Sequence, residues 1–487
     1  MMTANDLALE ALHTTATDLF REALENCNIQ TAFDRRIRFE GTKLHRLMAE
    51  GDTPAVLDLK DYRRIHVIAI GKAAPAMLET LLTRMARRKG LRGICCSGQV
   101  PEKRNWRIRY FEGGHPLPNE DSFAAARATL ALLRKARPDT LVLFLISGGA
   151  SALFDLPLDP AITLEDAMVF HQALIASGAP ITEINTIRKH FSAVKGGRLA
   201  LAAAESTKIS ILLPDVPLRS LDTLASGPTS PDRSTVEEVR TILRNYDLMA
   251  KFSLAVRSFF EREDLPESPG NKLRLPPFFP RLPWKENTAN AMRKAGLTAM
   301  HAEDAAFRNS LFEVLLSSHD LVESARTLAE KQGYFTVVDN ACDDWDYADC
   351  ARYLLERFHA LRAEHPRCCV ISGGEVTVTL NSNPGAGGRN QQFALACALA
   401  LEQYQGEQVV VLSAGSDGID GNTRSAGAIA DPTTVSRAVA FGYDPAEALA
   451  TFNACPMFTA LGDSVVTGAT GHNLRDLRLL IAESPLN

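Results

Sequence analysis

The stretch Gly385-Ala386-Gly387-Gly388-Arg389-Asn390-Gln391-Gln392-Phe393, with Ile371-Ser372-Gly373-Gly374-Glu375 shortly before it, has the makings of an anion-capturing loop. A short apolar run from Cys368 to Ile371 reaches a double glycine, and Val376 to Leu380 reads as a strand pair after it. The later glycines deliver Arg389 to the mouth of an amphipathic helix over Gln391 to Leu401. Glycine lets backbone N–H groups crowd an oxyanion, a helix start adds the positive end of its dipole, and arginine offers a fork of donors. A lone Gly-Gly pair is more often plain punctuation, but here the device recurs. Lys72 follows the run Ile65-His66-Val67-Ile68-Ala69-Ile70 and opens a helix. It reads either as a solvated lysine or as a mobile charge at the carboxyl edge of a sheet. Ser147-Gly148-Gly149-Ala150-Ser151 closes another apolar run, Leu141 to Ile146. Lys195-Gly196-Gly197-Arg198 is a third cationic glycine loop, equally readable as a basic helix C-cap.

Asp215, Glu375, Asp417 and Asp420 form the acidic side. Asp215 directly follows the apolar run Ile209 to Leu213 and is stiffened by Pro214 and Pro217. Phosphoryl transfer needs cations to neutralise the moving group, with a carboxylate to hold Mg²⁺ or accept the proton of the attacking hydroxyl. Ordinary Asx turns are the competing reading for these aspartates. Ser416 to Gly421 resembles a calcium loop only briefly and lacks the closing glutamate. The chain has no G-x-x-x-x-G-K-[ST] and no kinase-type glycine loop. Gly71-Lys72-Ala73 replaces the dinucleotide fingerprint after the first strand, and no G-x-S-x-G elbow occurs. His66, His115, His190 and His472 lack metal spacing, and His66 reads as structural.

A chain of 487 residues exceeds one ordinary core, so two or more domains are expected. A net charge of -5 argues against non-specific nucleic-acid binding. No apolar run approaches a membrane span, and Met1 to Leu24 lacks a signal-peptide core. The nine cysteines form no C-x-x-C pair and read as reduced thiols of a cytoplasmic protein. The residues leave a homodimer open.

These features need elements to hold them. The first sixty residues read as helix. Strands are expected at Ile65 to Ile70, Gly93 to Ser97, Leu141 to Ile146 and Ile209 to Leu213, with helices between them. Pro75 suits a first helical turn, Asn119 a cap, and Thr163 with Asp166 a capping box. This alternation predicts a parallel α/β sheet with ligands beyond its carboxyl ends. Proline-rich Leu265 to Trp284 reads as a linker. Beyond it, Phe312 to Leu316, Tyr334 to Val338, Cys368 to Ile371 and Gln408 to Leu412 read as strands of a second α/β unit. The expected domains are 1–262 and 311–487, joined by 263–310.

Several motifs carry a family resemblance: Ala69 to Ala73, Gly114 to Pro118, Ile146 to Gly149, Asn185 to Leu199, Asp215 to Pro217, Ala225 to Thr229, Ser372 to Glu375, Gly387 to Phe393, Asp417 to Gly421 and Thr467 to Asn473. In this order they resemble the class II glycerate 2-kinases over nearly the whole chain. The resemblance implies an α/β fold of two domains around a cleft, a Rossmann-like parallel sheet followed by a MOFRL-type domain. ATP, Mg²⁺ and the small hydroxy acid D-glycerate would meet there to give 2-phosphoglycerate. Lys72, Arg389 and Asp215 match its catalytic positions. Gly148, Gly149, Ser151, Lys195, Gly196, Gly197, Gly373, Gly374, Glu375, Gly388 and Asn390 are the candidate cofactor contacts, and Asp215 and Asp417 the candidate metal ligands. Ala150, Leu218-Arg219-Ser220, Arg424, Asn453-Ala454-Cys455-Pro456 and His472 depart from the family pattern. They leave open a related hydroxy acid as substrate, or a silent binding protein. An NAD(P)-dependent hydroxypyruvate reductase, a label related chains have carried, is the alternative enzyme.

Overall fold

Apolar runs that end in glycine or acidic turns become strands in the computed structural model, which describes residues 4–46, 55–85, 90–271, 306–307, 309–471 and 473–483. Two units result, Ile29–Leu315 and a second assembled from Met1–Asn28 and Leu316–Asn487.

In the Ile29–Leu315 unit, the helix Ile29–Arg36 runs into an antiparallel sheet of β1 (Ile37–Glu40), β2 (Lys43–Arg46) and β3 (Ala55–Asp58). The helix expected over this region therefore stops at Arg36. Glu40 pairs with Lys43 across a two-residue turn that places Gly41 at φ +59°, so the chain reverses into a hairpin. The main sheet contains β4 (Arg64–Ile70), β5 (Leu91–Ser97), β6 (Ile108–Glu112), β7 (Thr140–Ser147), β8 (Thr207–Leu213) and β9 (Ser310–Val314). Its order is β6-β5-β4-β7-β8-β9, and every neighbouring pair is parallel. All eight positions of β7 are buried, as befits a central strand covered on both faces. The chain winds outward from β4 to β6, then returns beside β4 and winds the other way to β9. The strand order thus reverses between β4 and β7, and the carboxyl ends of these two strands form the crevice at which such sheets bind ligands. The Asn119 and Thr163 capping boxes form as expected, and Pro75 lies in the first turn of the helix Ala74–Arg84.

A satellite core of helices packs around Phe170, Phe191, Phe259 and Phe260, with Phe170 stacked on Phe191 at 3.9 Å. Beside it lies fully buried Asp155. Its carboxylate meets the Lys195 ammonium at 2.7 Å and His171 Nε2 at 2.7 Å, and accepts the Ser192 hydroxyl at 2.5 Å. Burial opposes ionising Asp155, but Lys195 and His171 together outweigh it and hold the carboxyl below the usual range.

The second unit holds β10 (Phe335–Val338), β11 (Cys368–Gly373), β12 (Val409–Gly415), β13 (Gly427–Ala430), β14 (Ser464–Val465) and β15 (Asp476–Ala482). The order is β10-β11-β15-β12-β13-β14. Only β10 and β11 run parallel, while β15 is inserted antiparallel between β11 and β12. The strand pair expected at Val376 to Leu380 does not form, leaving one isolated bridge between Thr377 and Asp346. The physical reason is that β10 and β15 already occupy both edges of β11.

The expected boundaries also shift. β9 pairs with β8, so the first residues assigned to a C-terminal domain complete the first sheet instead. The helix Ala4–Asn26 belongs to the second unit, where Leu12, Ala16, Leu19, Phe20 and Ala23 are buried and Asn26 bonds Ser324. Most of the expected 263–310 linker, and His472, lie outside the described residues. Eight of the nine cysteines are buried, and none is paired in a disulfide. No helix among the described residues is long and apolar enough to cross a membrane.

Replacing Asp155 by Asn leaves the Lys195 charge buried without its counter-ion, a loss of about 3–5 kcal/mol. Urea unfolding should report it as a lower midpoint. The folded Asp155 carboxyl titrates below the roughly 3.9 of an unfolded aspartate, so its contribution is present at neutral pH and lost as pH falls through the acid range. The stability of Asp155→Asn should fall less steeply than wild type over that range.

Candidate active site

At the switch point, β4 delivers Lys72, β7 delivers Ser147-Gly148-Gly149, and β8 delivers Asp215. The Lys72 N–H donates to Gly148 O at 2.9 Å, and the Ala73 N–H to Ser147 Oγ at 3.0 Å. These bonds stitch the two loops together. A methyl group on Gly148 would lie 1.9 Å from Asp215 Oδ2, and one on Gly149, whose φ is +80°, would lie 2.9 Å from Lys72 Cγ. The two bare glycines are thus overlain, one by the candidate base and the other by the candidate cation. Lys72 is exposed and Asp215 half-buried. Among the described residues, Lys72 forms no ion pair.

Three neighbours were not among the site residues expected from sequence. Burial, then the charges of Lys72 and Arg188, depresses the pKa of the His115 imidazole and keeps it neutral at pH 7. Arg188 is itself buried, and its Nε has no hydrogen-bond partner. Ser226 lies 3.0 Å from Ser151, hydroxyl to hydroxyl, and donates to Asn185 Oδ1 at 2.9 Å. Ala225 and Ser226 hold φ of 54° and 58°. Such left-handed backbone costs about 1–2 kcal/mol per residue and collects at functional sites. The signal was available, since Arg188 and Ser226 both lie inside family motifs.

Lys195, Gly196 and Gly197 make their contacts within the first unit. The Lys195 ammonium is enclosed, bonded to Asp155 and to Phe154 O. The Gly196 and Gly197 N–H groups donate to Ser226 O at 3.0 Å and Gly227 O at 2.7 Å. A lysine taken out of water needs a counter-charge, and Asp155 supplies it. The loop thereby fixes the 225–227 segment, with its left-handed backbone.

In the second unit, the register sets Gly373 opposite Leu477 and Gly415 opposite Asp476, so the ends of β11 and β12 share one edge with the start of β15. Arg389, first residue of the helix Arg389–Leu401, reaches this edge. Its Nε donates to Asp476 Oδ2 at 2.6 Å, and its Nη2 to Asp476 Oδ1 at 2.9 Å and Glu375 Oε1 at 2.8 Å. Asp420 accepts the Asn390 and Gln391 N–H groups at 3.0 and 2.8 Å. The donors at this helix start are thus met by the protein's own carboxylates, Asp476, Glu375 and Asp420. Burial opposes ionising Asp476, but Arg389 prevails and keeps its carboxyl below the ordinary range. Burial instead pushes Asp420 up to about 6, against its two backbone donors and with the help of Asp476.

The remaining candidates support this edge. The Gly373 N–H donates to Asn340 Oδ1 at 2.7 Å, and the Glu375 N–H to Asp343 Oδ1 at 3.2 Å. A methyl on Gly374 would lie 2.7 Å from Asp343 Oδ1, and one on Gly388 2.3 Å from Asp420 Oδ1. Asn390 is buried and accepts the Ser413 hydroxyl at 2.7 Å. Asp417 Oδ1 accepts the Ile419 N–H at 3.1 Å, which is the Asx turn weighed above. Asp215 and Asp417 belong to different units. Among the described residues, no three His, Cys, Asp or Glu side chains cluster to hold a metal ion. Beside Arg389 opens a cavity of about 390 Å³ with apolar walls of Val376, Val378, Leu380, Pro384 and Phe452. Of the departures, Arg424 is exposed, Ala454 is buried, and the Cys455 N–H donates to Ala386 O at 3.0 Å.

Comparison with known proteins fits this geometry. A family described as "Domain of unknown function (DUF4147)" matches residues 15–261, and the MOFRL family matches residues 368–476. The D-glycerate 2-kinase of Thermotoga maritima is 31% identical over 425 residues, which are 85% of this chain and 89% of that protein. The chain belongs to the glycerate 2-kinase family. A crystal structure of glycerate kinase from Thermotoga maritima superposes with a TM-score of 0.75 at 27% identity, covering 97% of this chain and all of the other. One family relative, from Agrobacterium vitis, carries a hydroxypyruvate reductase name and is 32% identical over 77% of each chain.

Arg389→Ala should destabilise the fold, by up to about 3–5 kcal/mol, because Asp476 loses its nearer counter-charge and keeps only Arg478, at 3.9 Å. Adding Asp476→Asn should recover most of that loss. Thermal unfolding of the two variants checks the coupling, and a double variant no more stable than Arg389→Ala would contradict it.

Proposed function

We propose that the chain transfers the γ-phosphoryl group of ATP to the 2-hydroxyl of D-glycerate. The observation that carries this reading is the overlay of Asp215 and Lys72 on the bare glycines Gly148 and Gly149 at the switch point. The hydroxyl oxygen bonds to the γ-phosphorus, the bond to the ADP oxygen breaks, and Asp215 takes the hydroxyl proton. Lys72 neutralises charge on the transferring group, and Gly148-Gly149 lets backbone come close to it. Arg188, buried near His115, suits the substrate carboxylate. Asp215 also fits a Mg²⁺ ligand, because that ion binds through one or two carboxylates and completes its shell with substrate oxygens and water. A bound Mg²⁺ would supply charge neutralisation to the transferring group.

Within the second unit, the cavity beside Arg389 has apolar walls against which a flat ring could pack. A phosphate reaching Arg389 would displace Glu375, whose side chain is 27% exposed, rather than Asp476 at 0%. A reductase finds less support, because β4 runs into Gly71-Lys72-Ala73 without the dinucleotide fingerprint. The unpaired cysteines support a reducing, cytoplasmic setting.

Purified protein given ATP, Mg²⁺ and D-glycerate should release ADP and 2-phosphoglycerate. Lys72→Ala should lower kcat/KM by about 100-fold or more with unfolding unchanged. Absence of ADP above the blank would overturn the reading, and NADH oxidation with hydroxypyruvate would favour the reductase.

A further inference from the structure

The amino end of the first parallel sheet, opposite the candidate active site, carries a second concentration of charge. Arg63 and Arg64 lead into β4, Arg92 sits in β5, and Lys135 and Arg137 precede β7. Together with His66 and Asp139 they line a cavity of about 1000 Å³. Five cations thus face one carboxylate in a chain whose net charge is -5. None of the five forms an ion pair with a carboxylate among the described residues. Like charges gathered without internal anions repel one another, and a bound anion would relieve that repulsion.

A second observation points the same way. His66 is 3% exposed and lines this cavity, and its Nδ1 has no hydrogen-bond partner. An unsatisfied buried imidazole is costly. Burial, then the charge of Arg64, pushes its pKa down to about 4, so the ring is neutral and able to donate a hydrogen bond. One Asp139 oxygen is likewise unpartnered. The proposed reaction uses none of these groups, since they lie at the start of the seven-residue β4, roughly 20 Å long, and Lys72 lies beyond its end.

We propose that this cavity binds a small, multiply charged, phosphate-bearing anion, with Arg63, Arg64, Arg92, Lys135 and Arg137 as counter-charges and His66 at its wall. Its concavity and volume match a small-molecule pocket. The acidic chain as a whole disfavours nucleic acid, which wants a basic face. Guanidinium groups suit phosphate because their forked donors match its oxygens.

A reporter is built in. The Arg92 and Arg107 guanidiniums lie 5.9 and 4.4 Å from the ring centroid of Trp106, which is 77% exposed. Pyrophosphate titrated into the full chain should change tryptophan fluorescence saturably, and Trp106→Phe should abolish that signal. Binding should weaken as salt rises. Arg92→Glu and Arg137→Glu, both at exposed positions, should each weaken it by about tenfold or more. In NMR titrations, pyrophosphate should raise the His66 pKa. Lys72→Ala should leave the affinity unchanged, which separates this site from the catalytic one. A signal lost with Lys72→Ala but kept in both charge reversals would overturn the proposal, as would no saturable change. Tighter binding of a short oligoribonucleotide than of pyrophosphate would overturn the small-anion assignment.

Discussion

A charge withdrawn from water must find its opposite inside the fold, and this constraint decides what each cationic loop of the chain can do. Asp155 lies in the first unit and Asp476 in the second, both fully buried. Asp155 claims Lys195, and Asp476 claims Arg389. Two of the three glycine loops that advertise anion binding are thereby committed to internal carboxylates. Lys72 is the exception, because its loop lies against a carboxylate-bearing loop across two glycines instead of around a buried acid. The same chemistry, glycine beside a cation, is therefore tied to a buried acid in two places and left with an exposed lysine in the third.

The committed loops still shape the site. The Lys195 loop receives Ser226 and Gly227 carbonyls and so holds the left-handed backbone at Ala225 and Ser226, whose hydroxyl reaches Ser151. Arg389 draws Glu375 to the edge of the second sheet and borders an apolar cavity. Asp420 occupies the helix start that would otherwise attract a phosphate. A buried charge network and a ligand site are thus built from the same loops, which is why single substitutions there mix stability with activity.

Much of this was legible in the chain. The strands β4, β7 and β8 announce themselves as apolar runs closed by glycine or aspartate, and the caps at Asn119 and Thr163 are local hydrogen bonds between residues three apart. What stayed hidden is long-range. β15 carries Asp476 and Arg478 in the middle of a sheet, so its charges resemble a surface strand until Arg389, 87 residues earlier, is brought against it. β1 to β3 are four residues each and mix charge with apolar positions, leaving little periodicity to read. The helix Ala4–Asn26 packs with a sheet formed more than three hundred residues later, a fact that no local pattern encodes.

The central claim, that Asp215 and Lys72 act from above the two glycines that follow Ser147, is tested most directly by the kinetics of Gly148→Ala. The new methyl would fall 1.9 Å from Asp215 Oδ2 and drive that carboxylate out of place while leaving the backbone unstrained. The account predicts a loss of about 100-fold or more in kcat/KM for ATP-dependent phosphorylation of D-glycerate, with an unfolding curve close to that of the wild type. A variant that unfolds normally and turns over at the wild-type rate would contradict it.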